Sequence, residues 1–391
     1  MIVVEIVLIG ILLIALIAGV RRGFVASLGS IVGLVLGGIA AFWLVPVVND
    51  LWPWQSTRVV AVIILTIVLL VGGGFGGAAA GVALRSGVDR TPLRVFDRIL
   101  GGALAVVAGA LSLTLVSSAL VSTGTPVLST ALASSQVLRA IEGITPRPVA
   151  ETLARVRSAV LDDGLPRLGE LLALDQGGPT APPVSLDDPV LAQAAASVAR
   201  VSGTAWACGV SQTGTGFVLT ADRVVTNAHV VAGVDTPIVE LPGQPAREGR
   251  IVYFNTTNDL AVIAVDDLQV APLAVVSPIA VGTAAVIQGY PYGGPFTMVN
   301  AAVISTGSPP VPDIYEESTT PREIYGLAAD VQPGNSGGPL LTAEGAVAGV
   351  VFARADADEQ RGYAMTTTEL EPVLLAAPGL SDPVGTGRCT S

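Results

Sequence analysis

The 391-residue chain contains no lysine, a single histidine (His229), two cysteines (Cys208 and Cys389) and only 5% aromatic residues. Each scarcity narrows the field. Nucleic-acid binding depends on dense positive charge, whereas twenty arginines stand against 31 acids here, for a net charge of −11. A closed metal site takes about four Cys, His or carboxylate ligands, and two distant thiols with one imidazole do not make that pattern. No cofactor is implied. Any chemistry that needs an imidazole must pass through His229.

Charge is also unevenly spread. Residues 1–123 carry seven arginines and four acids, and residues 124–391 carry thirteen arginines and 27 acids. Within the charge-poor part, apolar runs at 2–20, 24–48, 59–84 and 100–122 each reach the roughly 20 residues that a bilayer-spanning helix requires. Three further runs follow the first, and no small-residue cleavage site is evident, so it reads as a span and not as a removable signal. The expectation is an all-α four-helix transmembrane domain over 1–123. Arg21, Arg22, Arg85, Arg90, Arg94 and Arg98 fall in the first and third connections, against Arg58 in the second. The positive-inside rule then puts those two connections in the cytoplasm and everything after residue 123 outside, on the periplasmic side. Trp43, Trp52 and Trp54 suit interfacial anchors around the outer loop.

Gly29, Gly33 and Gly37, and again Gly73, Gly77 and Gly81, recur every fourth residue, the spacing that lets membrane helices approach closely. Glu5, near an end, is the only acid well inside a span, which gives a transport pathway little support. The stretches "RRGFVASLGSIVGLVLGGIAAF" and "FDRILGGALAVVAGAL" resemble the colicin V production family of four-helix membrane proteins. That resemblance implies an anchor in the lipid bilayer more securely than it implies an activity.

Residues 124–189 read as a linker. "PVAETLARVRSAVLDDGLPRLGELLAL" has a loosely helical apolar period, giving two or three amphipathic helices broken at Pro146, Pro148 and Pro166. "DQGGPTAPPVSLDDP", residues 175–189, has the Gly and Pro content of an exposed connection open to proteolytic nicking. From 190 to 391 the texture changes to short Val- and Ile-rich runs between Gly, Pro, Asn and Asp turns, the pattern of an all-β sandwich or barrel. Both cysteines fall there. Outside the membrane a Cys208–Cys389 disulfide is expected, with two buried free thiols as the alternative.

The chemistry gathers in three stretches. "DVQPGNSGGPL" holds Ser336 among glycines, "TNAHVV" holds His229, and "NDLAVIAVDD" opens on Asp259. A serine hydroxyl becomes a nucleophile when a base takes its proton, and the base in turn needs an orienting acid. Asp235, Asp259, Asp266 and Asp267 are candidate acids downstream of His229. Asp259 is preferred because it stands at the head of an apolar strand; Asp235 lies too near His229, and Asp266 and Asp267 follow the strand into a turn. Gly334 can adopt backbone angles closed to other residues, which would aim its N–H beside that of Ser336 as a pair of oxyanion donors. "GAVAGVVF" reads as the strand beside which a peptide substrate would lie.

These motifs, in the order His, Asp, Ser, resemble the trypsin-like serine proteases, especially the bacterial high-temperature-requirement branch. The resemblance implies two six-stranded β-barrels of the chymotrypsin type. It also implies a catalytic triad of His229, Asp259 and Ser336 within hydrogen-bonding reach of one another, an oxyanion hole at Gly334 and Ser336, and protein or peptide substrates. Only 55 residues follow Ser336, too few to complete the barrel and add the peptide-binding PDZ domain common in that branch. The four-helix anchor and terminal disulfide look instead like the actinobacterial membrane-anchored proteases associated with acid resistance. Asp330, six residues before Ser336, sits where trypsin-like enzymes keep the acid that selects Arg or Lys; a structural role for it is equally open. The rival expectations are a transport- or secretion-associated membrane protein whose outer domain only binds peptides, and a protease held inactive until its linker is cut or its disulfide forms.

Overall fold

The computed structural model describes residues 2–51, 55–88, 93–122, 128–161, 165–168, 182–208, 210–356, 358 and 360–390. The chain divides into two units, residues 2–114 and residues 115–391. The first contains helices α1 (Ile2–Arg22), α2 (Phe24–Leu51), α3 (Gln55–Val88) and most of α4 (Arg94–Ser122). Two stretches, Ile2–Arg22 and Arg94–Ser117, are long and apolar enough to cross a membrane, and Phe24–Ala40 and Val71–Leu84 are shorter apolar segments. Four helices are therefore present where four spans were expected, and among the described residues two of them satisfy length and composition together. Trp52, Trp54 and Arg90 lie outside the described residues.

The glycine spacing has a physical outcome within this unit. A Cβ at Gly33 would overlap the carbonyl oxygen of Gly73, and one at Gly77 would overlap that of Gly29, so α2 and α3 meet backbone to backbone. Gly19 and Gly101 bring α1 and α4 together in the same way.

The second unit takes in the end of α4 and continues with α5 (Leu128–Ala133), α6 (Gln136–Ile144) and α7 (Arg147–Leu161). The Ser135 side chain accepts from the N–H of Leu138 at 3.2 Å and caps α6. The break expected at Pro146 is observed, but Pro148 is not a break. It lies in the first turn of α7, where a missing N–H costs no intrahelical bond. After Pro166 the chain is extended and forms strand β1 (Arg167–Leu168). Residues 175–181 of the Gly/Pro-rich stretch lie outside the described residues. Past them, Val184 and Leu186 already pack against the apolar core, and Asp188 caps α8 (Pro189–Ala195) by accepting from the Val190 N–H at 2.9 Å.

The rest is β-rich and chymotrypsin-like. Strands β2 (Val198–Ala205), β3 (Val210–Thr220), β4 (Arg223–Thr226), β5 (Ile238–Glu240), β6 (Arg247–Glu248), β7 (Arg250–Asn255) and β8 (Leu260–Ala264) form one sheet, ordered β6-β5-β2-β3-β4-β8-β7. Gly249 alone separates β6 from β7, so the two act as one bent strand that pairs with β5 at one end and β8 at the other. That bend closes a six-membered barrel.

The second barrel uses β9 (Ala284–Gly289), β10 (Thr297–Gly307), β13 (Ile324–Ala328), β14 (Pro339–Leu341), β15 (Val347–Ala355) and β16 (Arg361–Thr366), closed by β15–β16 pairing. Between β10 and β13, β11 (Pro310–Pro312) and β12 (Thr319–Pro321) make a separate hairpin, and α9 (Thr367–Ala376) follows β16. A seventh strand extends this sheet: β1 of the linker pairs in parallel with β15.

Val201, Val218, Val224 and Ile263 belong to one apolar cluster, and Ile287, Tyr325, Leu327 and Leu340 to another. A third cluster, including Phe217, Leu260, Val286 and Leu341, joins residues of both barrels and fixes the barrels against each other. A Cys208–Cys389 disulfide, with Cα atoms 6.5 Å apart, ties the C-terminal segment to the loop after β2.

Candidate active site

The three motif residues converge between the barrels. His229 starts a single helical turn directly after β4, reached through Asn227 and Ala228. Its backbone N–H donates to Asp259 Oδ1 at 2.9 Å, and its Nδ1 lies 2.8 Å from Asp259 Oδ2. One carboxylate thus holds both the main chain and the ring of the histidine. Asp259 itself has φ +53°, a left-handed conformation that Asp tolerates better than most residues. Its carbonyl accepts from Asn227 Nδ2 at 2.7 Å. The pair is enclosed, His229 being 7% exposed and Asp259 3%. The other acids are elsewhere: Asp235 is exposed, Asp266 bonds Arg250 at 3.1 and 3.2 Å, and Asp267 lies 4.0 Å from Arg247.

Ser336 occupies a turn whose shape is set by two glycines at positive φ, Gly334 (+90°) and Gly337 (+80°). A Cβ on Gly337 would overlap Thr215 O and Thr226 Oγ1 and sit 2.8 Å from Asn227 N, so the serine turn abuts the segment immediately before His229. The Ser336 carbonyl accepts from the Thr215 N–H at 2.8 Å, and the Gly337 N–H donates to Val351 at 2.8 Å. Around Gly334, the Pro333 carbonyl accepts from the Tyr292 N–H at 2.5 Å. The Gly334 carbonyl accepts from Thr215 Oγ1 at 2.7 Å. Both peptides flanking Gly334 are therefore pinned. Among the described residues, the N–H groups of Gly334 and Ser336 donate to no acceptor.

The expected hydrogen bond between histidine and serine is not formed. His229 Nε2 and Ser336 Oγ are both buried without a hydrogen-bond partner. The serine backbone is anchored by Thr215, so the hydroxyl position rests on rotation about one side-chain bond, which nothing in the free site locks.

Thr215, fully buried in β3, is the residue that motif reading missed. Its hydroxyl donates to Gly334 and accepts from the Tyr290 N–H at 3.0 Å, and its carbonyl accepts from Thr226 Oγ1 at 2.7 Å. The available signal was a threonine between two glycines, "GTG", entering an apolar strand. A second missed group is Arg200, which grips Glu240 at 3.0 and 2.7 Å and donates to the Gly293 carbonyl at 3.1 Å. Burial pulls the Arg200 guanidinium down, but the Glu240 carboxylate outweighs it and holds the group above its usual value. The fixed cation thereby ties the first barrel to the loop that supports Gly334. Arg322 is the opposite case, 2% exposed, with Nε and Nη1 unpartnered. Its guanidinium lies 5.3 Å over the Phe352 ring. Burial lowers its pKa, partly offset by Asp259, Glu369 and Asp313.

Asp330 is exposed and accepts from Gln332 Nε2. With Tyr292, Gln332 and Asn335 it lines a cleft of about 220 Å³, closed on another side by Glu151 and Arg155 of α7.

Comparison with known proteins identifies the family. Residues 214–350 match the trypsin-like peptidase domain family, and residues 4–146 match the colicin V production protein family. The serine protease Rv3671c of Mycobacterium tuberculosis is 34% identical over 392 residues, spanning 99% of this chain and 98% of that protein. The crystal structure of the Rv3671c protease in its active form is 38% identical, with a TM-score of 0.52 over 55% of this chain and 95% of that one. A probable periplasmic DegP-like serine endoprotease of Hahella chejuensis is 37% identical over 141 residues, which is 35% of this chain and 29% of that protein. With two barrels, a serine turn abutting the segment that leads to a buried histidine, and a relative matching end to end, the chain belongs to the trypsin-like serine proteases that carry an N-terminal colicin V production region, and it is a serine endopeptidase.

Proposed function

We propose that Ser336 is the nucleophile, His229 the general base and Asp259 the orienting acid of peptide-bond hydrolysis, with the N–H groups of Gly334 and Ser336 as oxyanion donors. The observation that carries this reading is the carboxylate of Asp259 held on both the ring and the backbone of the only imidazole in the chain. That bond orients Nδ1 and leaves Nε2 facing inward to accept the serine proton. As Oγ attacks the scissile carbonyl, the proton passes to Nε2 and from there to the departing amine. Water then repeats the sequence on the acyl-enzyme. The negative oxygen that forms in each half needs two fixed donors, and the pinning of Gly334 by Thr215 and Tyr292 supplies rigidity there. Serine–histidine bonds loose in a free enzyme tighten once substrate fills the site.

In this proposal four N-terminal helices, within residues 1–123, anchor the enzyme in the cell membrane. A linker over 124–189 joins them to a protease part over 190–391 on the periplasmic side. The physiological setting is envelope stress and acid resistance, as the family resemblance implies. Ser336→Ala tests the chemistry: peptide hydrolysis is lost while folding and membrane insertion persist, and a fluorophosphonate label maps to Ser336 in the parent chain. Labelling at another residue, or hydrolysis surviving in Ser336→Ala, would overturn the assignment. Survival of a strain lacking the protein at acidic pH, restored by the parent chain and not by Ser336→Ala, tests the role.

A further inference from the structure

The strand nominated by sequence as the bed for a substrate, β15, already has a neighbour. Arg354 donates its N–H to the Pro166 carbonyl at 3.2 Å, and Asp356 donates to the Leu168 carbonyl at 3.1 Å. The register pairs Arg167 with Arg354 and Leu168 with Ala355, in parallel. Two leucines bracket this contact. Leu165, 9% exposed, joins the apolar cluster that includes Ala329, Val331 and Val351. Leu168, also 9% exposed, joins the one that includes Phe352, Ala353 and Ala355. The helix before them approaches the same region: Ala154 of α7 fills the space over Gly294, and the Arg155 guanidinium lies 5.9 Å from the Tyr292 ring centre. Glu151 and Arg155 wall the cleft whose other side is Asp330, Gln332 and Asn335, the loop leading to Ser336.

We propose that the linker segment Leu165–Leu168 is an intramolecular occupant of the β15 edge, and that an extended peptide substrate must displace it to lie along that strand. The inference rests on the reading of this domain as a Ser336 peptidase. An open strand edge recruits extended peptides through backbone donors and acceptors, with side-chain pockets adding selectivity. Here the two N–H donors of the edge are spent on the protein's own chain. The occupant is built to leave. Its strand is two residues long, and parallel pairing is slightly weaker per residue than antiparallel. An edge free only a tenth of the time raises the apparent KM for an edge-binding substrate about tenfold, without touching chemistry at the serine.

The test uses the full chain in detergent micelles or lipid nanodiscs. Leu165→Asp with Leu168→Asp expels the segment; Leu168→Ala alone is the milder variant that retains the fold. Three quantities are read: KM for a peptide of eight or so residues, the rate of fluorophosphonate labelling at Ser336, and amide exchange at Arg354 and Asp356. The expected result is a KM lowered about tenfold in the double variant and less in Leu168→Ala. The labelling rate stays that of the parent, and the two amides exchange faster until peptide is added to the same variant carrying Ser336→Ala. Deprotected amides with an unchanged or higher peptide KM would overturn the proposal, since the linker would then have left an edge that substrate does not use. Absent labelling at Ser336 in the parent chain would instead refute the peptidase reading beneath it.

Discussion

Replacing Thr215 with valine keeps the shape of a fully buried side chain and deletes one hydroxyl. That hydroxyl donates to the Gly334 carbonyl at 2.7 Å and accepts from the Tyr290 N–H at 3.0 Å. Valine leaves both main-chain groups buried and unpaired. At about 1–2 kcal/mol for each orphaned group, stability falls by about 3 kcal/mol. For a domain of this size that is a melting temperature lower by roughly 10 °C. The catalytic effect is separate. Without Thr215 the peptide after Gly334 loses its anchor, and the proposed oxyanion donors on either side of Asn335 lose their fixed geometry. Removing one such donor costs about 3 kcal/mol of transition-state stabilisation, so kcat is expected to fall by about 10²-fold with a smaller change in KM. The assay is steady-state peptide hydrolysis and thermal unfolding of the full chain in detergent. Thr215→Ser, which keeps the hydroxyl, should recover most of kcat. A Thr215→Val enzyme with lowered melting temperature but kcat within about twofold of the parent would refute the link between this hydroxyl and the oxyanion site.

Three further outcomes follow from the same geometry. Asp259→Asn preserves an oxygen for the His229 N–H and a residue type that tolerates φ +53°, yet it puts a neutral amide against Nδ1; kcat should drop by about 10⁴-fold while the melting temperature moves little, checked by parallel kinetics and calorimetry. Gly337→Ala forces a Cβ into Thr215 O and Thr226 Oγ1 at φ +80°; the left-handed backbone alone costs about 1–2 kcal/mol, and the overlaps should abolish fluorophosphonate labelling. Burial would raise the Asp313 carboxyl, but the Ser318 hydroxyl and the N–H groups of Glu317, Tyr315 and Ser318 outweigh it and hold it below the usual range. Because the folded pKa is depressed, this stabilisation is complete above the unfolded value of about 3.9 and is lost as pH falls through the folded one. The melting-temperature gap between the parent and Asp313→Asn should accordingly stay constant from about pH 7 to 5 and close below about pH 4.

Much of the architecture follows from patterns local in the chain. Apolar runs of helical length, glycines every fourth residue, and Val- and Ile-rich strands between turns are each readable because a few neighbouring residues suffice to dictate them. The linker was less legible: Pro148 looks like a breaker but sits in a first helical turn, where its missing N–H is harmless. Arg167 and Leu168 lie in a stretch with a loosely helical apolar period and yet form a strand, because the edge of β15 supplies hydrogen-bond partners that no local pattern records. Gly249 likewise gives no sign, in sequence, of bending one strand to close a barrel.

His229, Asp259 and Ser336 could be nominated from sequence because chemistry restricts which residue types can serve, and three short motifs occur in a recognised order. Sequence alone also settled that any base catalysis by an imidazole must use His229. The tertiary structure alone decided which of four aspartates meets the histidine, that Thr215 pins the Gly334 loop from another strand, and that the linker lies on β15. Those contacts join residues 30, 119 and about 187 positions apart. They arise only when two barrels close and pack, and closure depends on the summed burial of many side chains, which no single segment carries.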